Sequence, residues 1–592
     1  MSYAISDFLQ IRTAAPTSFS ADGSKISISS NLSGTMQLYR TDPSGGQLVP
    51  ITSFDEPVSG GYLPMSDRLL IQMDEGGNER SQLYLINDDG SGFEKVVYDP
   101  DYIHEAGGVS RDEQTIAYSC NRRNGVDFDI WIHSLKTGDE RCVFNMGGYA
   151  FASGFSPDAR FLSVVRESER NGDNDMYLVD LETDDVIHVT PHDEEASYSA
   201  PSWLPDSSAF FFSTDEGREF ASIARYDVMD ASWKYVIETE WNATCTVDHA
   251  GKHLLVNSNV EGYSQFDLYN PKTLKLKHTV PFESKGVALP VFSKDGRYLA
   301  YYLISPIEPG DAWLYDTQAK ETSRLSISPN PIPPTEFVEP ELHRFDSFDG
   351  ESIPAFLFLP EGSGPHPAVA FIHGGPESQF RPVFFPIIQF LVHSGYAVVA
   401  PNVRGSIGYG KRYHHLDDVR KRLDSVKDLA AMHAWLAKRG DIDPKRIALM
   451  GGSYGGYMTL AGLAFQPDLW AAGVDTVGIS NLVTFLENTS AYRRKVRERE
   501  YGSLEKDRDF LLEVSPLTHI DKMKAPLFII HGTNDPRVPV GEATQIHEAL
   551  TANGIHSELL IYEDEGHGLA KLKNRLDAYP QVAAFLNRVL AP

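Results

Sequence analysis

The hydrophobic pattern changes character once along the chain. Up to about residue 325, short runs of β-branched and aromatic residues alternate with Gly, Asp, Asn and Pro, and helical spacing is nearly absent. Beyond Glu339, strand-like runs alternate with amphipathic segments such as DDVRKRLDSVKDLAAMHAWLAKRG, in which apolar residues recur every three or four positions until Gly440. The pattern predicts an all-β region followed by an α/β domain.

One turn phrase recurs through the β region at a nearly constant period. It reads FSADGSKISI in its first copy and FSKDGRYLAY in its last. Its aspartates, 42 to 48 residues apart, are Asp22, Asp67, Asp112, Asp158, Asp206, Asp248 and Asp295. This is the period of a four-stranded blade, so seven copies predict a seven-bladed β-propeller over residues 1–330. A β-sandwich is the alternative, but sandwiches do not repeat one turn phrase in this way.

The second region is predicted to be one α/β-hydrolase domain, residues 335–592. Prolines cluster in SISPNPIPPTEFVEPE, as in a linker between domains. Four later runs have the continuous apolar character of buried parallel strands: AVAFIH (368–373), AVVAPN (397–402), RIALMG (446–451) and LFIIHG (527–532). We also expect a short N-terminal segment before the propeller. This segment is a candidate for packing on the second domain.

The strongest chemical motif directly follows one of these strands. GGSYGG (451–456) separates the strand RIALM from the helical run YMTLAGLAF, which is the context in which G-x-S-x-G forms a nucleophile elbow. Ser453 is therefore the candidate nucleophile, and Gly451 and Gly455 leave room for the tight turn. For the pentapeptide alone, an ordinary glycine-rich turn is the competing interpretation.

A serine nucleophile needs an imidazole base that a carboxylate orients. The segment GTNDPRVP follows the strand LFIIH and contains Asp535, and EDEGHG follows the strand SELLIY and contains His567. The chain order Ser453, Asp535, His567 is the order expected of an α/β-hydrolase triad.

Three other residues compete for these two roles. His531 is an alternative base, although it lies at the end of a predicted strand. Asp564 and Glu565 are alternative carboxylates, although they stand too near His567 in sequence to approach it across the site. We therefore favour Asp535 and His567.

The oxyanion of a tetrahedral intermediate needs hydrogen-bond donors. HGGP (373–376) follows the strand AVAFI, where an HGGG-type loop offers a backbone N–H. We assign the amide of Gly375 and the amide of Tyr454, the residue after the nucleophile, to this role. Taken alone, HGGP is equally compatible with a simple turn.

Composition excludes several other classes of protein. The 592 residues carry a formal net charge of −29, which repels phosphate backbones and argues against nucleic acid as a partner. With 41% hydrophobic residues the chain is predicted to be globular, and no run of apolar residues is long enough to span a membrane. Cys120, Cys142 and Cys245 form no disulfide framework or zinc motif, and the N-terminus lacks a signal-peptide pattern. We expect a cytoplasmic protein without a metal or organic cofactor.

The combined motifs resemble one known family. A seven-bladed propeller followed by HGGP, NVRGSIGYG (402–410), GGSYGGYM, HGTNDPRVP and DEGHG is similar to the prolyl oligopeptidase family of serine peptidases over essentially the whole chain, and most similar to its acylaminoacyl-peptidase branch. The resemblance implies that the propeller is a lid over the active site, which limits substrates to short peptides. The oligomeric state is open, with a dimer or a larger homo-oligomer among the possibilities.

The resemblance also implies further site residues and a substrate class. Arg537 corresponds to the arginine that holds a substrate carbonyl or carboxylate, with a surface ion pair as the alternative. An apolar specificity pocket is drawn from Ile479, Leu482, Val483 and Phe485, which are also compatible with plain core.

The expected reaction is release of N-acylated amino acids from blocked peptides. The alternatives are a puromycin-hydrolase-like aminopeptidase, a dipeptidyl- or carboxypeptidase, an esterase and, least favoured, a binding scaffold without activity. Dipeptidyl peptidases of this fold capture a free amine with paired glutamates. We interpret Glu194 and Glu195 of PHDEEASYS as a solvated acidic turn, because the usual sequence around such a pair is missing.

Overall fold

The computed structural model describes residues 3–590 and contains seven four-stranded antiparallel sheets and one eight-stranded sheet. The strands of the first four blades are β1 (Ala14–Phe19), β2 (Ile26–Ser30), β3 (Gln37–Thr41), β4 (Val49–Pro50), β5 (Ser59–Tyr62), β6 (Arg68–Met73), β7 (Gln82–Asn87), β8 (Glu94–Val97), β9 (His104–Val109), β10 (Thr115–Cys120), β11 (Asp129–Ser134), β12 (Glu140–Phe144), β13 (Ala150–Phe155), β14 (Phe161–Glu167), β15 (Asn174–Asp180) and β16 (Val186–His188). The other three blades contain β17 (Ser202–Trp203), β18 (Ala209–Thr214), β19 (Ser222–Asp227), β20 (Ser232–Ile237), β21 (Ala243–Val247), β22 (Leu254–Val260), β23 (Tyr263–Tyr269), β24 (Leu276–Thr279), β25 (Val287–Phe292), β26 (Tyr298–Ile304), β27 (Asp311–Asp316) and β28 (Glu321–Arg324). The predicted seven-bladed propeller is confirmed.

The repeated aspartate lies in the turn between the first and second strands of every blade. In four blades a serine two residues earlier donates its hydroxyl to this carboxylate, in the pairs Ser20–Asp22, Ser110–Asp112, Ser156–Asp158 and Ser293–Asp295. A carboxylate that accepts hydrogen bonds within its own turn favours chain reversal there. The sequence repeat therefore reflects a turn that each blade needs.

The first strands of the blades surround a central channel. A cavity of about 930 Å³ is lined by residues of the first strand of every blade, from Thr17 in β1 to Val291 in β25. The ring closes between the first and seventh blades by apolar packing, in which Phe19 shares a cluster with Ala312 and Leu314. Because each blade contains only consecutive strands, this closure depends on hydrophobic burial rather than on shared strands.

The eight-stranded sheet forms the core of the second domain. Its strands are β29 (Glu341–Asp346), β30 (Ser352–Phe358), β31 (His366–Ile372), β32 (Ala397–Pro401), β33 (Ile442–Gly452), β34 (Ala472–Thr476), β35 (Leu527–Gly532) and β36 (Ser557–Tyr562), in the order β29-β30-β32-β31-β33-β34-β35-β36. The first two pairings are antiparallel and the others are parallel. In such sheets the site forms at the carboxyl ends of the strands, next to the point where the strand order reverses.

The helices flank this sheet. They are α1 (Ile5–Leu9), α2 (Pro386–His393), α3 (Lys411–His414), α4 (Arg422–Arg439), α5 (Tyr454–Phe465), α6 (Leu482–Asn488), α7 (Ala491–Tyr501), α8 (Arg508–Glu513), α9 (Gly541–Ala552) and α10 (Leu572–Leu590), with 3₁₀ turns at Pro334–Glu336, Val419–Lys421 and Pro516–Lys522. As predicted, α4 ends at Gly440, whose φ of +81° suits glycine. Ile5 and Leu9 of α1 pack into the hydrolase core with residues of α2 and α10. Within residues 3–590, no helix has the length and apolar character needed to cross a membrane.

Candidate active site

Ser453 occupies a strained turn between β33 and α5. Its φ of +57° and ψ of −117° are rarely adopted by residues other than glycine. A Cβ atom at Gly451 would lie 2.3 Å from the carbonyl oxygen of Gly455, and a Cβ atom at Gly455 would lie 2.1 Å from the carbonyl oxygen of Ile372. Both flanking positions therefore require glycine, which is the physical reason for the G-x-S-x-G pattern.

Backbone hydrogen bonds hold this turn in place. The Ser453 N–H donates to the carbonyl oxygen of Thr476 at 2.9 Å, and the Tyr457 N–H donates to the carbonyl oxygen of Ser453 at 3.0 Å. The first bond ties the turn to β34 and the second ties it to α5. A strained residue persists when its surroundings fix it in this way.

Asp535 and His567 form a hydrogen-bonded pair on the loops after β35 and β36. The Nδ1 atom of His567 lies 2.7 Å from Oδ2 of Asp535. The other oxygen of Asp535 accepts hydrogen bonds from the backbone N–H groups of Arg537, at 2.8 Å, and Val538, at 3.0 Å. These bonds fix the carboxylate, which in turn orients the imidazole as a serine nucleophile requires.

The alternative base has a different environment. His531 is 0% exposed, and its Nε2 atom lies 2.8 Å from the carbonyl oxygen of Val538 and 3.6 Å from Oδ2 of Asp535. Burial lowers the pKa of His531, so it remains neutral as a partner inside the sheet. It does not line the cavity that contains Ser453.

The alternative carboxylates are also engaged elsewhere. Asp564 pairs with Lys573 at 2.7 Å, which contributes to lowering the pKa of this aspartate to about 2. Glu565 accepts the backbone N–H groups of Ala570 and Lys571, both at 2.9 Å, and so organises the chain that follows His567. The geometry thus favours Asp535 as the carboxylate partner.

The loop of Gly374 and Gly375 lies directly against the elbow. A Cβ atom at Gly374 would lie 3.0 Å from the carbonyl oxygen of Gly452 and 3.5 Å from Cβ of Ser453, and Gly375 lines the same cavity as Ser453. Tyr454 provides the first amide of α5, which has no acceptor within the helix and stands at the positive end of its dipole. Both predicted oxyanion donors are therefore beside the serine.

The side chain of Tyr454 is anchored by a buried polar network that the sequence did not predict. Its hydroxyl lies 3.1 Å from Asp417, 2.9 Å from Ser425 and 3.0 Å from Arg422, and Arg422 also pairs with Asp417 and Glu500. All of these side chains are buried. The network fixes the start of α5, where the Tyr454 amide is located.

A cavity of about 270 Å³ contains the candidate catalytic groups. Ser453, His567 and Gly375 lie on its wall, together with three cationic side chains, those of Arg493, Arg497 and Arg537. The apolar part of the wall is provided by Ile479, Phe485, Tyr501 and Val538. The sequence motifs predicted the first group and Arg537, but they gave no sign of Arg493, Arg497 or Tyr501.

Two residues of the predicted specificity pocket are placed differently. Phe485 and Ile479 line the cavity with Ser453, and Leu482 and Val483 do not. All four side chains belong to the same hydrophobic core of the hydrolase domain and are 3% exposed or less. The assignment of Leu482 and Val483 to the specificity pocket stays a prediction.

Arg537 contacts a glutamate that the propeller contributes. Its Nε atom donates to the carboxylate of Glu79, which lies in the loop between β6 and β7 and has a positive φ of 58°. The same loop presses on the His567 loop: a Cβ atom at Gly77 would lie 2.5 Å from the backbone nitrogen of Gly566. Only glycine permits this approach, which brings Glu79 to the edge of the site.

Glu194 and Glu195 lie elsewhere. Glu194 is exposed, as predicted for a solvated turn. Glu195 departs from that prediction, because its carboxylate lies 3.7 Å from His415 of the hydrolase domain and its carbonyl oxygen accepts a hydrogen bond from Lys411. Neither glutamate lines the cavity that contains Ser453. Glu79 is the propeller carboxylate that contacts Arg537, and it lies in DEGGNER, which contains no paired-glutamate motif.

The buried side chain of Asp475, in β34, should make stability depend on pH. Burial raises the pKa of Asp475 to about 8, above the ordinary value of an unfolded aspartate, so the free energy of unfolding decreases as pH rises from about 4 to about 8. The substitution Asp475→Asn removes this titration. We expect the decrease in Tm between pH 5 and pH 8 to be smaller in the variant by about 2–4 °C, measured by circular dichroism. Equal decreases in Tm in the wild-type protein and the variant would show that Asp475 does not cause this pH dependence.

These features together define a serine hydrolase of the α/β type with a seven-bladed propeller over its active site. Residues 382–592 match the model of the prolyl oligopeptidase family, and residues 70–327 match that of the TolB β-propeller domain. Residues 382–592 thus form a peptidase domain of the prolyl oligopeptidase family, and the protein is a serine-type peptidase.

Known proteins show similarity along the chain. The dipeptidyl aminopeptidase BIII of Pseudoxanthomonas mexicana is 28% identical over 554 residues, which is 88% of this chain and 79% of that protein. The acylamino-acid-releasing enzyme of Arabidopsis thaliana is 30% identical over 232 residues, or 38% of this chain and 30% of that protein. The structure of a puromycin-hydrolyzing peptidase from Mycobacterium tuberculosis has a TM-score of 0.85 at 21% identity, over 100% of this chain and 96% of that one, which supports the fold.

Proposed function

We propose that this peptidase releases dipeptides from the free amino terminus of short peptides. Ser453 attacks the scissile carbonyl, His567 accepts its proton and Asp535 holds the imidazolium. The amides of Gly375 and Tyr454 bind the oxyanion, and Arg537 holds a substrate carbonyl on the acyl side. The observation that carries the substrate class is the contact between Glu79 and Arg537.

Glu79 is suited to bind the α-ammonium group of a substrate. Its carboxylate accepts from Arg537, and the Tyr492 hydroxyl lies 3.5 Å away, which leaves lone pairs for a further cationic donor. If Arg537 holds the substrate carbonyl, an amino terminus beside that carbonyl reaches Glu79. A blocked terminus would leave this carboxylate without a cationic partner from the substrate, at a cost in affinity.

The charge around His567 also favours a substrate with a free amino terminus. A second cavity of about 320 Å³ is also lined by His567 and includes Glu79 in its wall. Four more carboxylates line it, from Glu56, Asp74, Asp564 and Glu565, with Lys571 as a basic side chain among them. The excess of negative charge favours a cationic group and disfavours an acyl cap.

The comparisons support this choice over acylaminoacyl release. The similarity to the dipeptidyl aminopeptidase extends over 88% of this chain, whereas the similarity to the acylamino-acid-releasing enzyme covers 38%. Glu79 lies in the propeller. A relative therefore bears on the role of Glu79 only if its similarity to this chain extends beyond the hydrolase domain. Release of acylated amino acids remains the competing function.

A panel of 4-nitroanilides tests the proposal. We expect kcat/KM for Ala-Ala-4-nitroanilide to exceed that for acetyl-Ala-Ala-4-nitroanilide and acetyl-Ala-4-nitroanilide by at least about 10-fold, since a charged hydrogen bond is lost. In Glu79→Gln, kcat/KM for the free dipeptide substrate should fall about 10-fold or more, while the acetylated substrates are hardly affected.

The matched control is Glu75→Gln, an exposed glutamate of the same loop. This variant should keep the wild-type preference. A wild-type preference for the acetylated substrates would reject dipeptide release and favour acylaminoacyl release, and an unchanged preference in Glu79→Gln would reject the role of Glu79.

We also propose that the enzyme works in a reducing compartment such as the cytoplasm. Cys120, Cys142 and Cys245 are all unpaired in the structure, and Cys120 is buried. Unpaired thiols are the usual state of cysteine in the cytosol. Quantifying free thiols in protein isolated under alkylating conditions tests this, since three reactive thiols are expected after denaturation.

A further inference from the structure

The helix α7 presents a stripe of side chains to the active-site cavity. Arg493, Arg497 and Tyr501 are spaced four residues apart, and all three line the cavity with Ser453. Two like charges at this spacing destabilise an isolated helix. The spacing of the two arginines therefore does not stabilise α7 as a helix. We consider a role of their charges in the cavity instead.

Neither arginine has an acidic partner in the part of the chain that the structure describes. Within residues 3–590, Arg493 and Arg497 form no salt bridge, whereas Arg499 of the same helix pairs with Glu167 and Arg537 pairs with Glu79. The Nε atom of Arg497 is buried without a hydrogen-bond partner among the same residues. Two guanidinium groups without an acidic partner in one cavity are unusual in a protein with a net charge of −29.

The carboxylates that interact with these arginines lie outside the cavity wall. Glu79, which interacts with Arg493, already pairs with Arg537. Glu105 also interacts with Arg493, and Glu377 interacts with Arg497, but burial raises the pKa of both carboxyl groups and so disfavours their charged form. As formed by residues 3–590, the cavity wall itself carries three arginines and no carboxylate.

Arg497 lies close to the reacting centre. Its Nη1 atom is 3.4 Å from the carbonyl oxygen of Gly375, the residue that contributes an oxyanion amide. In the last turn of α7, Arg499 donates to Glu167 of the propeller, and Asn171 of the propeller donates to Glu500 at 2.7 Å. The helix is thus held by both domains, with its arginine stripe turned toward Ser453.

We propose that Arg493 and Arg497 bind a carboxylate of the substrate, the side chain of an Asp or Glu whose own carbonyl Ser453 attacks. The apolar wall of Ile479, Phe485 and Val538 accommodates the methylene groups of that side chain, and the two arginines receive its charge. This specificity rests on the proposed role of Ser453, but it does not depend on the amino-terminal preference. The peptidase then selects acidic residues at the position before the cleaved bond.

The test compares isosteric substrates that differ in charge. For the wild-type enzyme, kcat/KM for Ala-Glu-4-nitroanilide should exceed that for Ala-Gln-4-nitroanilide by about 10- to 100-fold, the range expected for a charge-assisted pair of hydrogen bonds. In Arg497→Gln the ratio should fall to near 1. In Lys495→Gln, which removes one exposed positive charge from the same helix, the wild-type ratio should persist.

Charge reversal gives a gain of function that misfolding cannot imitate. Arg497→Glu should cleave Ala-Lys-4-nitroanilide faster than Ala-Glu-4-nitroanilide, the reverse of the wild-type order. A ratio near 1 in the wild-type enzyme, or a ratio that survives in both Arg497→Gln and Arg493→Gln, would overturn the proposal.

Two further arms separate this proposal from others. Acetyl-Glu- and acetyl-Gln-4-nitroanilide should show the same acidic preference, so the test remains informative if the enzyme prefers blocked substrates. Trialanine carries a C-terminal carboxylate on its leaving group, and the C-terminal amide of trialanine lacks that carboxylate. If Arg497→Gln reduces cleavage of trialanine selectively and leaves the Glu-to-Gln ratio unchanged, the arginines bind the peptide C-terminus and the proposed acidic specificity is rejected.

Discussion

Ser453→Ala is expected to lower kcat on peptide substrates by about 10⁶-fold while the fold remains intact. The change removes one oxygen atom from the wall of the active-site cavity, and the hydrogen bonds that hold the turn come from backbone groups. Loss of the nucleophile alone abolishes nearly all the benefit of a triad, because its members act as a unit. Only the modest acceleration from the oxyanion donors and substrate binding should remain.

Kinetics and folding are measured on the same preparation. We expect unchanged far-ultraviolet circular dichroism and a Tm close to the wild-type value, together with hydrolysis of Ala-Ala-4-nitroanilide near the detection limit. The positive φ of Ser453 is strained for alanine as well as for serine, so the substitution relieves no strain that would alter the fold. Activity within 10-fold of the wild-type value would reject Ser453 as the nucleophile.

Asp535→Asn is expected to lower kcat by about 10⁴-fold with little change in KM. The amide oxygen can still accept the backbone N–H groups of Arg537 and Val538, which leaves the NH₂ group facing Nδ1 of His567. That nitrogen must then accept a hydrogen bond, and the proton moves to Nε2. An imidazole protonated there cannot accept the proton of Ser453.

Asp564→Asn provides the matched control for this prediction. The same chemical change is made three residues before His567, in a carboxylate that pairs with Lys573 outside the serine cavity. We expect this variant to keep kcat within a few-fold of the wild-type value. Equal losses in the two variants would mean that general electrostatics, rather than the orientation of His567, explains the effect.

The parts of the structure that the sequence predicted are those fixed by local backbone geometry. The aspartate of each blade sits in a turn that only a few residue types favour, so the propeller repeats it seven times. Ser453 requires glycine at Gly451 and Gly455 because side chains there would collide with backbone atoms. Constraints of this kind leave a recognisable pattern in any sequence that satisfies them.

The parts that the sequence did not predict depend on packing between distant segments. Glu79 stands 458 residues from Arg537, and its approach is made possible by the contact of Gly77 with Gly566. No local pattern distinguishes such a glutamate from a solvated one. The stripe of Arg493 and Arg497 did have a signal, the four-residue spacing in AYRRKVREREY, but only the fold shows that this face meets the cavity.

The assignment of Leu482 to the specificity pocket meets a related difficulty. An apolar residue beside a predicted site is compatible with both a substrate pocket and a core, since the two environments select the same side chains. Leu482 and Phe485 both belong to the hydrophobic core, and of the two Phe485 also lines the cavity with Ser453.

Covalent labelling with a fluorophosphonate identifies the activated nucleophile without assuming any substrate. We expect the intact mass of the wild-type protein to increase by one adduct as activity is lost, and peptide mapping to locate the adduct on Ser453. Asp535→Asn should react far more slowly, and Ser453→Ala should not react. Full inactivation with the adduct on another residue, or activity that persists in fully labelled protein, would show that Ser453 is not the nucleophile.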